Sequence, residues 1–170
     1  MASLILTVVG PDRPGLVRAL SGAVAAAGGS WLESRMARLA GQFAGIVLVD
    51  APDSLLDDLR ALESQGLRIV VQSGEAAPPV GVAAPALSLE VVGNDRPGIV
   101  RDVTQVLAEN GVNIEELTTG VASGSFSGEP LFRVTATVRA PGPAAVDAMR
   151  AGLERLGNEL MVDVHPVAEG

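Results

Sequence analysis

The chain contains no cysteine and no tyrosine, and only one histidine, one tryptophan and three phenylalanines. Lysine is absent as well, so all 12 basic residues are arginine. Without cysteine there is no disulfide and no thiolate chemistry, and the redox compartment stays open. The single histidine, His165, lies at the end of the last predicted strand. No serine has a histidine and an aspartate set beside it by any motif, and no metal-ligand spacing occurs, so enzyme chemistry has no starting point. No cofactor is implied. An RNA-binding sheet would display aromatics on its central strands, and four aromatic residues in all do not supply them.

Positive charge is also scarce. The formal net charge is −8. Residues 1–72 carry six arginines against seven acids, Glu75 adds one more acid, and residues 86–170 carry six against twelve. A nucleic-acid surface needs clustered cations to meet phosphates, so no direct contact with DNA or RNA is expected. Residues 76–89 form an uncharged run as long as any in the chain, but Pro78, Pro79 and Pro85 prevent it from crossing a membrane as a helix. The start, Met1-Ala2-Ser3, has no basic n-region, and 4–9 is too short for a signal sequence. The expectation is a soluble cytoplasmic protein.

What the chain does contain is a repeat. Gly93-Asn94-Asp95-Arg96-Pro97-Gly98-Ile99-Val100-Arg101 nearly copies Gly10-Pro11-Asp12-Arg13-Pro14-Gly15-Leu16-Val17-Arg18, 83 residues earlier. An apolar run precedes each copy and an amphipathic run follows, which reads as strand, sharp turn and helix. Pro14 and Pro97, with fixed φ and no N–H, suit the first helical position. The glycine after each proline removes a Cβ and opens the orphan N–H donors at the positive end of the helix dipole. That makes each turn a candidate site for a small anion or carboxylate. The same residues also suit a plain strand-to-helix turn, and duplication copies structure as readily as sites.

The remaining elements follow from periodicity. Strands are expected over 4–9, 30–39, 43–49 and 67–71, with helices over 14–27 and 53–65. Gly28 and Gly66 stop the helices, and Ala40-Gly41-Gln42 turns the hairpin. The second set is strands over 87–92, 113–121, 131–139 and 159–164, with helices over 97–110 and 144–156. Gly111 closes the first of these helices, and the hairpin loop, 122–130, is longer than its counterpart. Residues 73–85, rich in Gly, Ala and Pro, read as an extended linker. The domain reading is 1–72, a linker over 73–85, and 86–167. The fold class is α+β: two ferredoxin-like βαββαβ units, each a four-stranded antiparallel sheet with both helices on one face.

The G-x-D-R-P-G-[LI]-V turn after strand one, with Gly111-Val112-Asn113-Ile114-Glu115 opening strand two, resembles the ACT domain family. Two such units in so short a chain look like the tandem ACT proteins of the glycine cleavage system transcriptional repressor type. Leu32-Glu33-Ser34-Arg35-Met36 and Gly41-Gln42-Phe43 also look like that subfamily. The resemblance implies a regulatory protein that senses a small ligand, usually an amino acid such as glycine, between two ACT units, and acts through a protein partner. It implies binding at the turn of one unit, Asp12, Arg13, Pro14, Gly15 and Leu16, or Asn94, Asp95, Arg96, Pro97, Gly98 and Ile99. The start of strand two in another unit completes the site, with Asn113 and Ile114 or Ser30 and Trp31. Asn113 matches the family pattern and Ser30 departs from it, so the Asn113 site is expected to bind more tightly. Trp31 is expected to pack at the unit interface. The implied partners are an amino acid, a protein that could be a transcription regulator, and a second copy in a homodimer. An ACT module that only scaffolds or oligomerises, with no ligand, is the competing reading; an acylphosphatase-like enzyme of this topology lacks its phosphate loop in both turns.

Overall fold

The structure, a computed structural model, describes residues 1–74, 84–124, 128–157 and 160–168. Most of the expected linker, the tip of the expected 122–130 loop and the expected start of the last strand at Glu159 lie outside the described residues. The chain divides into two compact units, Met1–Pro78 and Pro79–Gly170. Unit one runs β1 (Ala2–Pro11), α1 (Leu16–Ala26), β2 (Ser30–Leu39), β3 (Gln42–Ala51), α2 (Leu55–Glu63) and β4 (Arg68–Ser73). Unit two repeats it as β5 (Leu87–Asn94), α3 (Ile99–Glu109), β6 (Asn113–Ser123), β7 (Pro130–Arg139), α4 (Pro143–Glu154) and β8 (Met161–Pro166).

Each unit forms one four-stranded sheet, in the order β2-β3-β1-β4 and β6-β7-β5-β8. Every pairing is antiparallel. Alternation sends Leu6, Val8, Val47 and Val49 to the side where Leu16, Leu20 and Val24 of α1 and Leu55, Leu59 and Leu62 of α2 cover them. Both helices therefore lie on one face, as a period-2 strand pattern and two 3.6-period stripes require. In unit two Leu89, Val91, Val134, Ala136 and Val138 meet Ile99, Val103, Val106 and Leu107 of α3 and Met149 and Leu153 of α4. Each such fully buried side chain stabilises its unit by roughly 1.5–3 kcal/mol of removed apolar surface.

The glycine stops appear where expected: Gly28, Gly66 and Gly111 have φ of 76°, 93° and 66°. The first hairpin turn is tighter than expected, because Gln42 already belongs to β3 and pairs with Leu39. Two residues remain, Ala40 and Gly41, at φ 48° and 79°, the geometry that matches strand twist in two-residue hairpins. The helix starts also need correcting. Neither Pro14 nor Pro97 is the first helical residue, since α1 begins at Leu16 and α3 at Ile99. Gly15 and Gly98 intervene with φ of 91° and 80° and ψ near zero, outside the helical region. Proline followed by such a glycine is the central pair of a type II turn, and this turn precedes each helix.

Candidate ligand-binding turns

The two turns are anchored alike. The N–H of Asp12 donates to the Gly41 carbonyl at 2.9 Å, and that of Asp95 donates to the Pro130 carbonyl at 3.0 Å. Each turn is thus tied to the hairpin of its own unit. The Ile99 N–H closes the second turn onto the Arg96 carbonyl at 3.3 Å. The helical ladder begins with Ala19 N–H to the Gly15 carbonyl (2.9 Å) and Asp102 N–H to the Gly98 carbonyl (3.0 Å). The N–H groups of Val17 and Arg18, and of Val100 and Arg101, precede that ladder and point out of the helix N-terminus. Their direction and the helix dipole favour an anion.

The side chains around the two turns differ. In unit one, Asp12, Arg13, Gly15, Leu16, Val17, Arg18 and Phe43 line a shallow cleft of about 230 Å³. Arg13 donates to the Gln65 carbonyl beyond the C-terminus of α2 at 2.7 Å, where a cation meets the negative end of the dipole. Asp12 pairs with Arg38. Among the described residues Arg18 has no side-chain partner. It lines the same cleft as Leu16 and Val17.

In unit two the corresponding cations are taken. Arg96 donates to Asp102 at 2.8 Å, and Arg101 reaches the other oxygen of the same carboxylate at 3.1 and 3.0 Å. The position equivalent to Asp102 in unit one is Ala19, by the 83-residue offset. With no acid there, Arg13 goes to Gln65 instead. The hydrogen bond from Arg96, then that from Arg101, holds the Asp102 carboxyl below the usual carboxylate range. A carboxyl whose pKa is lower folded than unfolded stabilises the native state above its unfolded value, and the contribution disappears as the pH falls through the folded value. Asp102→Asn is therefore expected to flatten the acid side of the stability profile. Urea midpoints followed by circular dichroism from pH 7 to pH 3 check this, and an unchanged slope would count against the ion triad.

The strand-two residues lie elsewhere. Ser30 pairs with Asp50 at one end of the sheet, whereas β1 delivers the turn at the end where Pro11 pairs with Gln42. Eight residues of β3 separate the two ends, roughly 26 Å at strand rise. Asn113, opposite Arg139, is likewise at the far end from Gly93 and Phe132. A turn and a strand-two start of the same unit cannot share one small ligand. Trp31 and Ile114 are half-buried and pack against the core of their own units. Each is followed by a register shift, between Trp31 and Glu33 and between Ile114 and Glu116. The bulge therefore recurs at the same 83-residue offset as the turn, and such bulges re-aim the side chains next to them.

Sequence reasoning did not single out Arg18, Phe43 or Asp102. Arg18 was visible, since it closes the repeated motif. Asp102 was visible only as the first place after the motif where the copies differ. Phe43 had no local signal for the turn and arrives there through the β1–β3 register, which pairs it with Gly10.

Comparison with known proteins agrees with this architecture. ACT domain models match residues 2–72 and again 87–151. A protein of the UPF0237 family from Methanopyrus kandleri is 36% identical over 74 residues, 44% of this chain and 77% of that protein. A solved structure of an unknown protein from Galdieria sulphuraria is 34% identical, covers 98% of this chain and 99% of its own, and superposes with a TM-score of 0.82. A proposed glycine cleavage system transcriptional repressor has the same fold, with a TM-score of 0.70 over 99% of this chain and 98% of its own at 19% identity. With both units matched by the same domain, the chain belongs to the ACT domain family and carries two ACT domains in tandem.

Proposed function

We propose that this protein is a non-enzymatic regulator that senses a small α-amino acid at the turn of its first ACT domain. The observation that carries the reading is the difference between the turns. In unit one Arg18, with no side-chain partner among the described residues, lines one open cleft together with the first-turn residues Leu16 and Val17. In unit two the Asp102 carboxylate already engages the guanidinium groups of both Arg96 and Arg101. A ligand carboxylate needs a cation and N–H donors that are not engaged, so the first turn is the better acceptor. Asp12, on the same cleft and already paired with Arg38, would share its carboxylate between that arginine and the ligand ammonium. Asn113 and Ser30 lie too far along their own sheets to serve the turn of their own unit, so their part requires another ACT unit.

Regulation of amino-acid metabolism through a protein partner in the cytoplasm belongs to the same proposal. It is supported by family membership and by the described role of the repressor that shares the fold. A charge of −8 with no arginine cluster directs the output to a protein rather than to DNA.

A thermal-shift screen against the amino acids, glycine included, tests the proposal. A ligand at 100 times its dissociation constant adds about 2.7 kcal/mol of stability. Arg18→Ala is expected to abolish most of that shift, while Arg101→Ala leaves it in place. Among the strand-two residues, Asn113→Ala is expected to cost more of the shift than Ser30→Ala. No shift with any amino acid would favour the scaffold reading.

A further inference from the structure

The two sheets share topology and register, so their helix-free faces can be compared row by row. Across β2-β3-β1-β4 the outward rows are Ala37, Ala44, Val9 and Arg68; then Arg35, Ile46, Thr7 and Val70; then Glu33, Leu48, Ile5 and Gln72. The matching rows of unit two are Gly120, Arg133, Val92 and Met161; Thr118, Thr135, Glu90 and Asp163; Glu116, Thr137, Ser88 and His165. Unit two follows the rule for a half-solvated antiparallel sheet, with polar residues filling most of the outward positions. In unit one the centre is apolar: Ile46, Leu48, Ile5 and Val70 stand where Thr135, Thr137, Ser88 and Asp163 stand in its sister. Ile46, Val70 and Val9 are 51%, 57% and 37% exposed. A hollow of about 240 Å³ opens beside Ile46, lined also by Ile5, Leu48, Glu33 and Arg35. The fold does not impose this face, because the same fold carries a polar one in the same chain. A contiguous exposed apolar patch marks an interaction surface.

We infer that the helix-free face of the first sheet is the contact between two copies of this chain, related by a two-fold axis. The charges on the face select the partner. The chain as a whole is strongly acidic, which repels a second copy, yet this face balances Glu33 and Asp50 against Arg35 and Arg68. Glu33 and Arg35 are successive outward residues of β2 across one row spacing, and they pair with each other at 3.0 Å. A two-fold axis lying in the face, across the strands and between those rows, sets Glu33 of each copy over Arg35 of the other. The same operation lays Ile46 over Leu48 and Thr7 over Ile5. An isologous contact needs such self-complementarity, in charge and in apolar surface. Three strands of ten residues and the six of β4, at ~4.8 Å spacing, present roughly 570 Å² of projected face per copy. Two such faces come to about 1,100 Å², at the small end of specific interfaces. This contact is independent of any ligand at the turns.

Sedimentation velocity of the full chain over a range of concentrations tests the inference. The wild-type protein is expected to sediment at twice the chain mass. Ile46→Glu is expected to shift it to the monomer, with its circular dichroism melt retained because the residue is half in solvent. Thr135→Glu, at the matching position of unit two, is expected to leave the dimer intact. Glu33→Arg and Arg35→Glu should each weaken association at least tenfold, and the two together should restore it, since the exchanged pair is again complementary across the axis. A monomer at every concentration would overturn the inference, as would an Ile46→Glu protein that stays dimeric or a double exchange as weak as the single changes.

Discussion

Gly45→Val is expected to destabilise unit one by about 3 kcal/mol, the upper range for forcing atoms into a packed site. A Cβ at this position would fall 2.3 Å from the Arg35 carbonyl oxygen, 2.6 Å from the Met36 Cγ and 2.7 Å from the Met36 Cα. Side-chain ends can swing away, but two of these three atoms are backbone. To accept a side chain, β2 must move off β3 at the middle of the hairpin, where Gly45 pairs with Met36. Glycine inside a strand marks such a close approach of another backbone. The register-equivalent residue of unit two is Val134, buried opposite Thr119, so the constraint belongs to this hairpin and not to the fold. Trp31, the only tryptophan, sits on β2 of unit one. With a urea slope of about 1.5 kcal/mol/M, the fluorescence midpoint is expected to fall by about 2 M. A midpoint within a few tenths of the wild-type value would show that β2 and β3 have room.

Gly15→Val and Gly98→Val come next, at about 2–3 kcal/mol each for their own units, with alanine at either position costing about 1 kcal/mol. The sequence pointed to these glycines as gaps that let a ligand reach the helix N-terminus. The structure adds a conformational duty. At Gly15 a Cβ would meet nothing within 4 Å, so space is not at issue. The φ of 91° is, because a β-branched side chain is strained at positive φ wherever it points. The same holds at Gly98, with φ of 80° and only the flexible end of Arg101 nearby. Both variants are therefore expected to lose stability whether or not a ligand is present. Guanidinium or urea unfolding measures this directly. If Gly15→Val melts like the wild type while losing an amino-acid response, the glycine serves the ligand and not the turn.

The amino-acid sequence by itself determined the secondary structure and the repetition. The 83-residue offset, the alternation in β1 and β5, the helix stripes and the glycines at 28, 66 and 111 are signals within a few residues of one another. Local signals of that kind follow from backbone sterics and side-chain periodicity, which need no tertiary context. The same locality explains the misplaced helix starts: proline at a first helical position and proline at the second position of a type II turn look alike until the next residue's φ is known. Only the tertiary structure decided what surrounds each turn. Arg13 finds Gln65, 52 residues away, because α2 ends beside the β1–α1 turn, and Asp12 meets Arg38 because the hairpin brings the end of β2 there. The residues that open β2 and β6 share a motif with the turns, yet antiparallel pairing sends them to the opposite end of the sheet. The apolar face of unit one was equally hidden. Ile5, Ile46, Leu48 and Val70 come from three strands, and only the register that stacks β3, β1 and β4 puts them side by side on the face that no helix covers.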